Sequence, residues 1–107
     1  MSLRPPQNLT PDFKVDPGAT RLEIELKAEQ ASVLGALGRD MQKSLETLKN
    51  DHSGDAARHS ERLDAAVRAV WHYFIQRETC GLIDHHHVIE YYQIPQRVIA
   101  RLGSVKR

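Results

Sequence analysis

Thr20-Arg21-Leu22-Glu23 opens the first long periodic stretch of the chain. Its spacing lets the threonine oxygen accept from the amide three residues on, while the glutamate reaches back to the threonine amide. From there Leu22, Leu26, Val33, Leu34, Leu37, Met41, Leu45 and Leu48 recur at three- and four-residue steps. That pattern predicts one long helix over about residues 20–50 with a single apolar side. Gly35 and Gly38 weaken its middle by about 1 kcal/mol each relative to alanine, so they are expected to let another helix come close.

Asn50 to Asp55 is a loop by composition. Leu63, Ala66, Val67, Val70, Trp71, Phe74 and Ile75 then predict a second helix over about 55–79, with polar first turns that fray. Gly81 directly after Cys80 supplies a residue able to adopt the left-handed conformation that ends a helix. Asp84 is placed to cap a third, short helix over about 84–92. Pro95 opens a fourth over about 95–102, which Gly103 stops. The fold class is therefore all-α: a long helical hairpin closed by two short C-terminal helices.

Ahead of the hairpin, residues 1–19 hold four of the five prolines, at positions 5, 6, 11 and 17. Proline removes a donor and disfavours helix before it, so an extended arm is expected. Leu9, Phe13 and Val15 are apolar groups able to pin it to a helix or partner. The domain organisation is thus an arm over 1–19 and a single helical domain over 20–107.

A helix of thirty residues is near 45 Å long at about 1.5 Å per residue, more than a compact domain of this size accommodates. With 107 residues, a lone copy has a thin core. A homodimer is expected, joined through Leu34, Leu37, Met41, Leu45 and Leu48. On that reading Met41→Asp places a charge in an apolar seam and weakens association.

A formal charge of +1 argues against whole-molecule attraction to nucleic acid or anionic membrane. The single cysteine excludes an internal disulfide and fits a reducing, cytoplasmic setting. No apolar run approaches the length of a membrane span, and Met1 to Pro6 lacks the apolar core of a signal peptide.

Candidate chemistry gathers between Trp71 and His87, which contain the only cysteine and four of the six histidines. Three consecutive helical histidines point about 100° apart, so His85, His86 and His87 cannot all face one metal. The weak metal candidates are Cys80, His86 and Glu90, fewer than the four protein ligands of a structural zinc. The histidines are expected to be solvated in a first helical turn. Cys80 is expected to be inert, because a helix C-terminus disfavours a thiolate. Trp71, Phe74, Tyr91 and Tyr92 are expected to be core or interface anchors. No nucleophile–base pair, catalytic residue or cofactor is expected, and the preferred function is a non-enzymatic protein-interaction module.

Two resemblances bear on function. Val88 to Leu102 is similar to a helix-turn-helix of the lactose-repressor kind, with Gln96, Arg97 and Arg101 as weak DNA candidates. It departs from that pattern at Ile89, where a small residue is usual, and at Gln93, where the turn glycine belongs. The second resemblance covers residues 63–103. Trp71, Phe74, Gln76-Arg77-Glu78, Cys80-Gly81-Leu82, Asp84-His85, Tyr92, Ile94-Pro95 and Val98 to Arg101 resemble a small bacterial all-helical family, a domain of unknown function. That resemblance implies a short cytoplasmic helical protein and transfers no catalytic residue, cofactor or ligand.

Overall fold

The computed structural model describes the backbone of residues 18–105 and the side chains of residues 18–103. The proline-rich arm, with Leu9, Phe13 and Val15, therefore lies mostly outside the described residues. Among the described residues four helices run in chain order: α1 (Arg21–Lys49), α2 (Ala56–Thr79), α3 (His86–Tyr92) and α4 (Gln96–Val105). Among the described residues there is no strand. The all-helical hairpin closed by two short helices is the architecture observed.

The start of α1 follows from its capping box. Thr20 Oγ1 accepts from the Glu23 amide at 3.2 Å, and Glu23 Oε1 accepts from the Thr20 amide at 2.8 Å. The second contact holds the Glu23 carboxyl below the usual carboxylate range. The polar first turns of α2 are helical from Ala56. Asp55 Oδ1 accepts from the amides of Ala57 and Arg58, satisfying two of the free donors that open every helix.

Leu34, Met41, Leu45 and Leu48 of α1 pack with Ala66, Val67, Val70, Tyr73 and Phe74 of α2 in the main core. Val88 of α3, Ile94 of the turn and Val98 and Leu102 of α4 complete it. This corrects the expected dimer seam. Four of its five residues are buried inside one chain, and Leu37 is half-buried against the same cluster. A second copy finds no open row there, because α2 already covers it.

Only Gly38 of the two helix glycines serves a close approach. A Cβ there would lie 3.2 Å from the Tyr73 ring and 3.5 Å from the Tyr92 hydroxyl, whereas Gly35 would meet only the end of Arg39. Tyr73 thus sits level with Gly38. Six more residues of α2 carry it to about the level of Ser32. Among the described residues, positions 21–29 of α1 lie beyond the end of α2, roughly 14 Å of helix at 1.5 Å per residue, and all are exposed.

The C-terminal helices differ slightly from expectation. Asp84 does not occupy the cap position of α3; His85 does, with no side-chain cap bond, while Asp84 Oδ1 accepts from the His86 amide at 3.1 Å. Gly103 does not end α4, which continues to Val105. A glycine only permits a stop, and helix interiors tolerate one at modest cost.

The α1–α2 loop is held by Asp51. Its buried carboxylate accepts from the amide and hydroxyl of Ser53, contacts His59 Nδ1 at 3.1 Å and pairs with Arg62 at 2.8 Å. These contacts, the Ser53 hydroxyl foremost, hold the Asp51 carboxyl down to about 2.

Two outcomes follow from this packing. Met41→Asp is expected to unfold the chain in circular dichroism, since it places a charge at a fully buried position of the core. A depressed carboxylate stabilises the fold above its unfolded value of 3.8 and loses that contribution as pH falls towards about 2. Acid titration of Asp51→Asn should therefore show a shallower loss of stability than the natural chain across that window.

Candidate functional site

The turn between α2 and α3 gathers the most polar chemistry against the core. α2 ends in a Schellman motif: the Gly81 amide bonds to the Glu78 carbonyl and the Leu82 amide to the Arg77 carbonyl. Gly81 adopts φ 90°, which no Cβ obstructs. That turn sends the chain back along the last turns of α2 and brings Asp84 and His85 onto Arg77.

Arg77 is only 4% exposed, the one buried charged residue among the described residues. Its Nη2 donates to the Asp84 carbonyl at 2.8 Å, and its Nε donates to His85 Nδ1 at 3.0 Å. Arginine has no acceptor, so His85 Nδ1 must carry the lone pair. The ring proton then sits on Nε2, which donates to Glu78 Oε2 at 2.9 Å. The imidazole also stacks on Phe74, with centroids 4.1 Å apart and planes 7° from parallel. One ring is thus fixed by a guanidinium, a carboxylate and an aromatic face, all from α2.

The histidine run consequently divides. His86 and His87 are exposed, as expected for a solvated first turn, but His85 is a half-buried part of the packing. Among the described residues no three histidine, cysteine, aspartate or glutamate side chains form a group able to hold a metal ion. Cys80, His86 and Glu90 are not brought together. Cys80 Sγ is instead contacted by Gln76 Nε2 at 3.8 Å. The Asp84 carboxyl is held low, chiefly by the His86 amide.

A tyrosine pair lies on the other flank of Arg77. Tyr73 and Tyr92 meet edge to face at 6.1 Å. Burial, with Tyr73 beside it, pushes the Tyr92 hydroxyl up to about 12. Of the expected aromatic anchors, Phe74 is buried, Trp71 and Tyr92 are half-buried and Tyr91 is exposed. Tyr73, absent from the periodic apolar row, is the most deeply buried aromatic residue of α2.

The α3–α4 turn does adopt the conformation a helix-turn-helix glycine would take. Gln93 is left-handed, with φ 54° and ψ 51°, and Ile94 closes a second Schellman motif onto the Ile89 carbonyl. Lys49 of α1 donates to the Tyr92 carbonyl at 3.2 Å and ties this turn to the hairpin. Of the DNA candidates, Gln96, Arg97 and Arg101 are exposed, and Arg101 is engaged with Asp64 of α2 at 2.6 Å.

The second distinctive surface is the free end of α1. Leu22 is 73% exposed, Leu26 54%, and Ile24 and Val33 44% each. At 100° per residue, Leu22, Leu26 and Val33 form a stripe roughly 90° around the helix from the Leu34, Met41, Leu45 and Leu48 row. The apolar positions of α1 thus make two stripes, not one side, and only the second meets α2.

These features define the class: a small all-helical protein whose two long helices form a hairpin, with an apolar helix end standing clear of it. The chain belongs to the family described as a family of unknown function (DUF6665), whose model matches residues 1–107. No curated protein and no solved structure matches it. Among the described residues, no helix is long and apolar enough to cross a membrane.

Replacing Arg77 by alanine leaves the His85 lone pair and the Asp84 carbonyl without their donor in a covered position. Urea denaturation should show a loss of about 3 kcal/mol; a change within experimental error would mean that the bend is held by its turn geometry alone.

Proposed function

We propose that this chain is a cytoplasmic, non-enzymatic protein-interaction module that forms a homodimer through the free end of α1. The observation that carries the reading is the exposed stripe of Leu22, Leu26 and Val33 on a helix capped to persist beyond its own core. Arg21, Glu23, Glu25, Lys27 and Glu29 are interspersed with it, giving an amphipathic helix end of the kind that packs against another helix. The symmetry of a homodimer lets one such stripe cover its own copy.

The energetics favour a weak, reversible association. Fully burying a leucine or valine is worth about 1.5–3 kcal/mol. Three side chains that are already partly covered therefore offer roughly 3–4 kcal/mol per chain. Two chains supply about 6–8 kcal/mol before the cost of immobilising one copy against the other. A dissociation constant of 1 mM corresponds to about 4 kcal/mol, so with that cost deducted the association lies at the weak, millimolar end.

Sedimentation equilibrium from about 10 µM to about 1 mM should show the mass rising from 12.2 kDa towards twice that value. Leu22→Asp/Leu26→Asp should remain monomeric with an unchanged helical spectrum, because both positions are exposed in the single chain. A natural chain that stays at the monomer mass throughout refutes the dimer.

A further inference from the structure

We propose that the two free ends of α1 pack antiparallel about a two-fold axis at Glu25, with Arg21 of each copy against the partner's Glu29. This rests on the homodimer proposed above and adds the direction and register in which the copies meet.

Direction follows from what lies further along the stripe. Asp40 comes five full turns after Leu22 at 3.6 residues per turn, so it continues the same line of the helix. It is exposed, and it lines a hollow of the hairpin with Lys43, Ser44 and Thr47. A parallel pair lays the two helices side by side along their whole length and presses Asp40 onto its own copy, carboxylate against carboxylate. An antiparallel pair joins only the free ends and leaves Asp40 of both copies in water.

Register follows from three features that agree. Positions 21–29 are the exposed run of α1, and residue 25 is its midpoint. A two-fold axis there lays each exposed run over the whole of the other. Leu22, the partner's Leu26, Leu26 and the partner's Leu22 then succeed one another about 3 Å apart at 1.5 Å per residue, interleaved without collision.

The charges select the same register. At 100° per residue, Arg21, Glu25 and Glu29 border the stripe on one side, and Glu23 and Lys27 on the other. A two-fold axis that reverses one helix brings the same border of each copy together. Arg21 thus meets the partner's Glu29, and Glu23 meets the partner's Lys27, each twice by symmetry. Against these stands one like-charge contact, Glu25 with its own copy on the axis. Sliding the copies one turn further together sets Glu25 against the partner's Glu29 and Lys27 against its own copy. Sliding them one turn apart keeps only Arg21 with the partner's Glu25, sets Glu23 against its own copy and uncovers both helix ends. Charge complementarity of this kind fixes register in a contact of modest area.

The test is a charge-swap cycle in the full chain, read by sedimentation equilibrium at about 20 mM salt, where screening is weak. Arg21→Glu and Glu29→Arg should each weaken self-association about five-fold, because each sets like charges together twice per dimer. The double variant Arg21→Glu/Glu29→Arg should return to within about two-fold of the natural chain. All three should keep the natural helical spectrum, since both positions are exposed in the single chain. A double variant as weak as the singles overturns the antiparallel register and leaves the homodimer standing; a parallel pair gives that result, because there Arg21 and Glu29 sit two turns apart. Single variants that associate like the natural chain overturn the register as well. A natural chain that stays at the monomer mass removes the homodimer, and this arrangement with it.

Discussion

The contact of the Tyr73 ring with the bare backbone of Gly38 sets the register of the whole molecule. A Cβ at position 38 would lie 3.2 Å from that ring and force it to shift by a few tenths of an ångström, and the ring's place fixes how far α2 reaches along α1. From this register α2 stops level with about Ser32, and among the described residues positions 21–29 of α1 are left exposed. Tyr92, edge-on to Tyr73 with its hydroxyl near the same glycine, carries the constraint to α3. One close approach thereby places three helices and decides which apolar surface remains open.

The bend after α2 is built on the same frame. Gly81 permits the reversal, and the reversal delivers His85 onto Phe74 and Arg77. A buried arginine is costly unless its donors are satisfied. Here a carbonyl and an imidazole nitrogen answer it, and among the described residues no buried side-chain nitrogen or oxygen lacks a partner. The requirement for a bare Nδ1 comes from arginine chemistry, so the packing of this turn fixes the tautomer of one ring.

Much of the fold was legible in the sequence because helix signals are local. The capping box at Thr20, the three–four periodicity of α1 and α2, Gly81 as a helix end and Pro95 before α4 all act within a turn of themselves. The long-range facts were not legible. Leu22, Leu26 and Val33 share their spacing with Leu34, Met41 and Leu45, and only the 100° increment per residue separates the two stripes. Which stripe met α2 depended on Tyr73, a residue whose hydroxyl kept it out of the apolar count. The histidine run misled for a related reason: three identical neighbours suggest one environment, yet the chain reversal buries the first and leaves the other two in water. Arg77 lies in the last turn of α2, and the carbonyl it reaches is that of Asp84 in the bend. Its bond to His85 required a turn eight residues later.

The proposal on which the functional reading rests is that positions 21–29 of α1, exposed in the structure of the described residues, gain cover from a second copy. Amide exchange of these residues, followed as protein concentration rises from about 10 µM to about 1 mM, tests it most directly. Their protection is predicted to increase with concentration while that of Met41 to Leu48 stays constant. Protection in α1's first turns that is already high and indifferent to concentration would contradict the account.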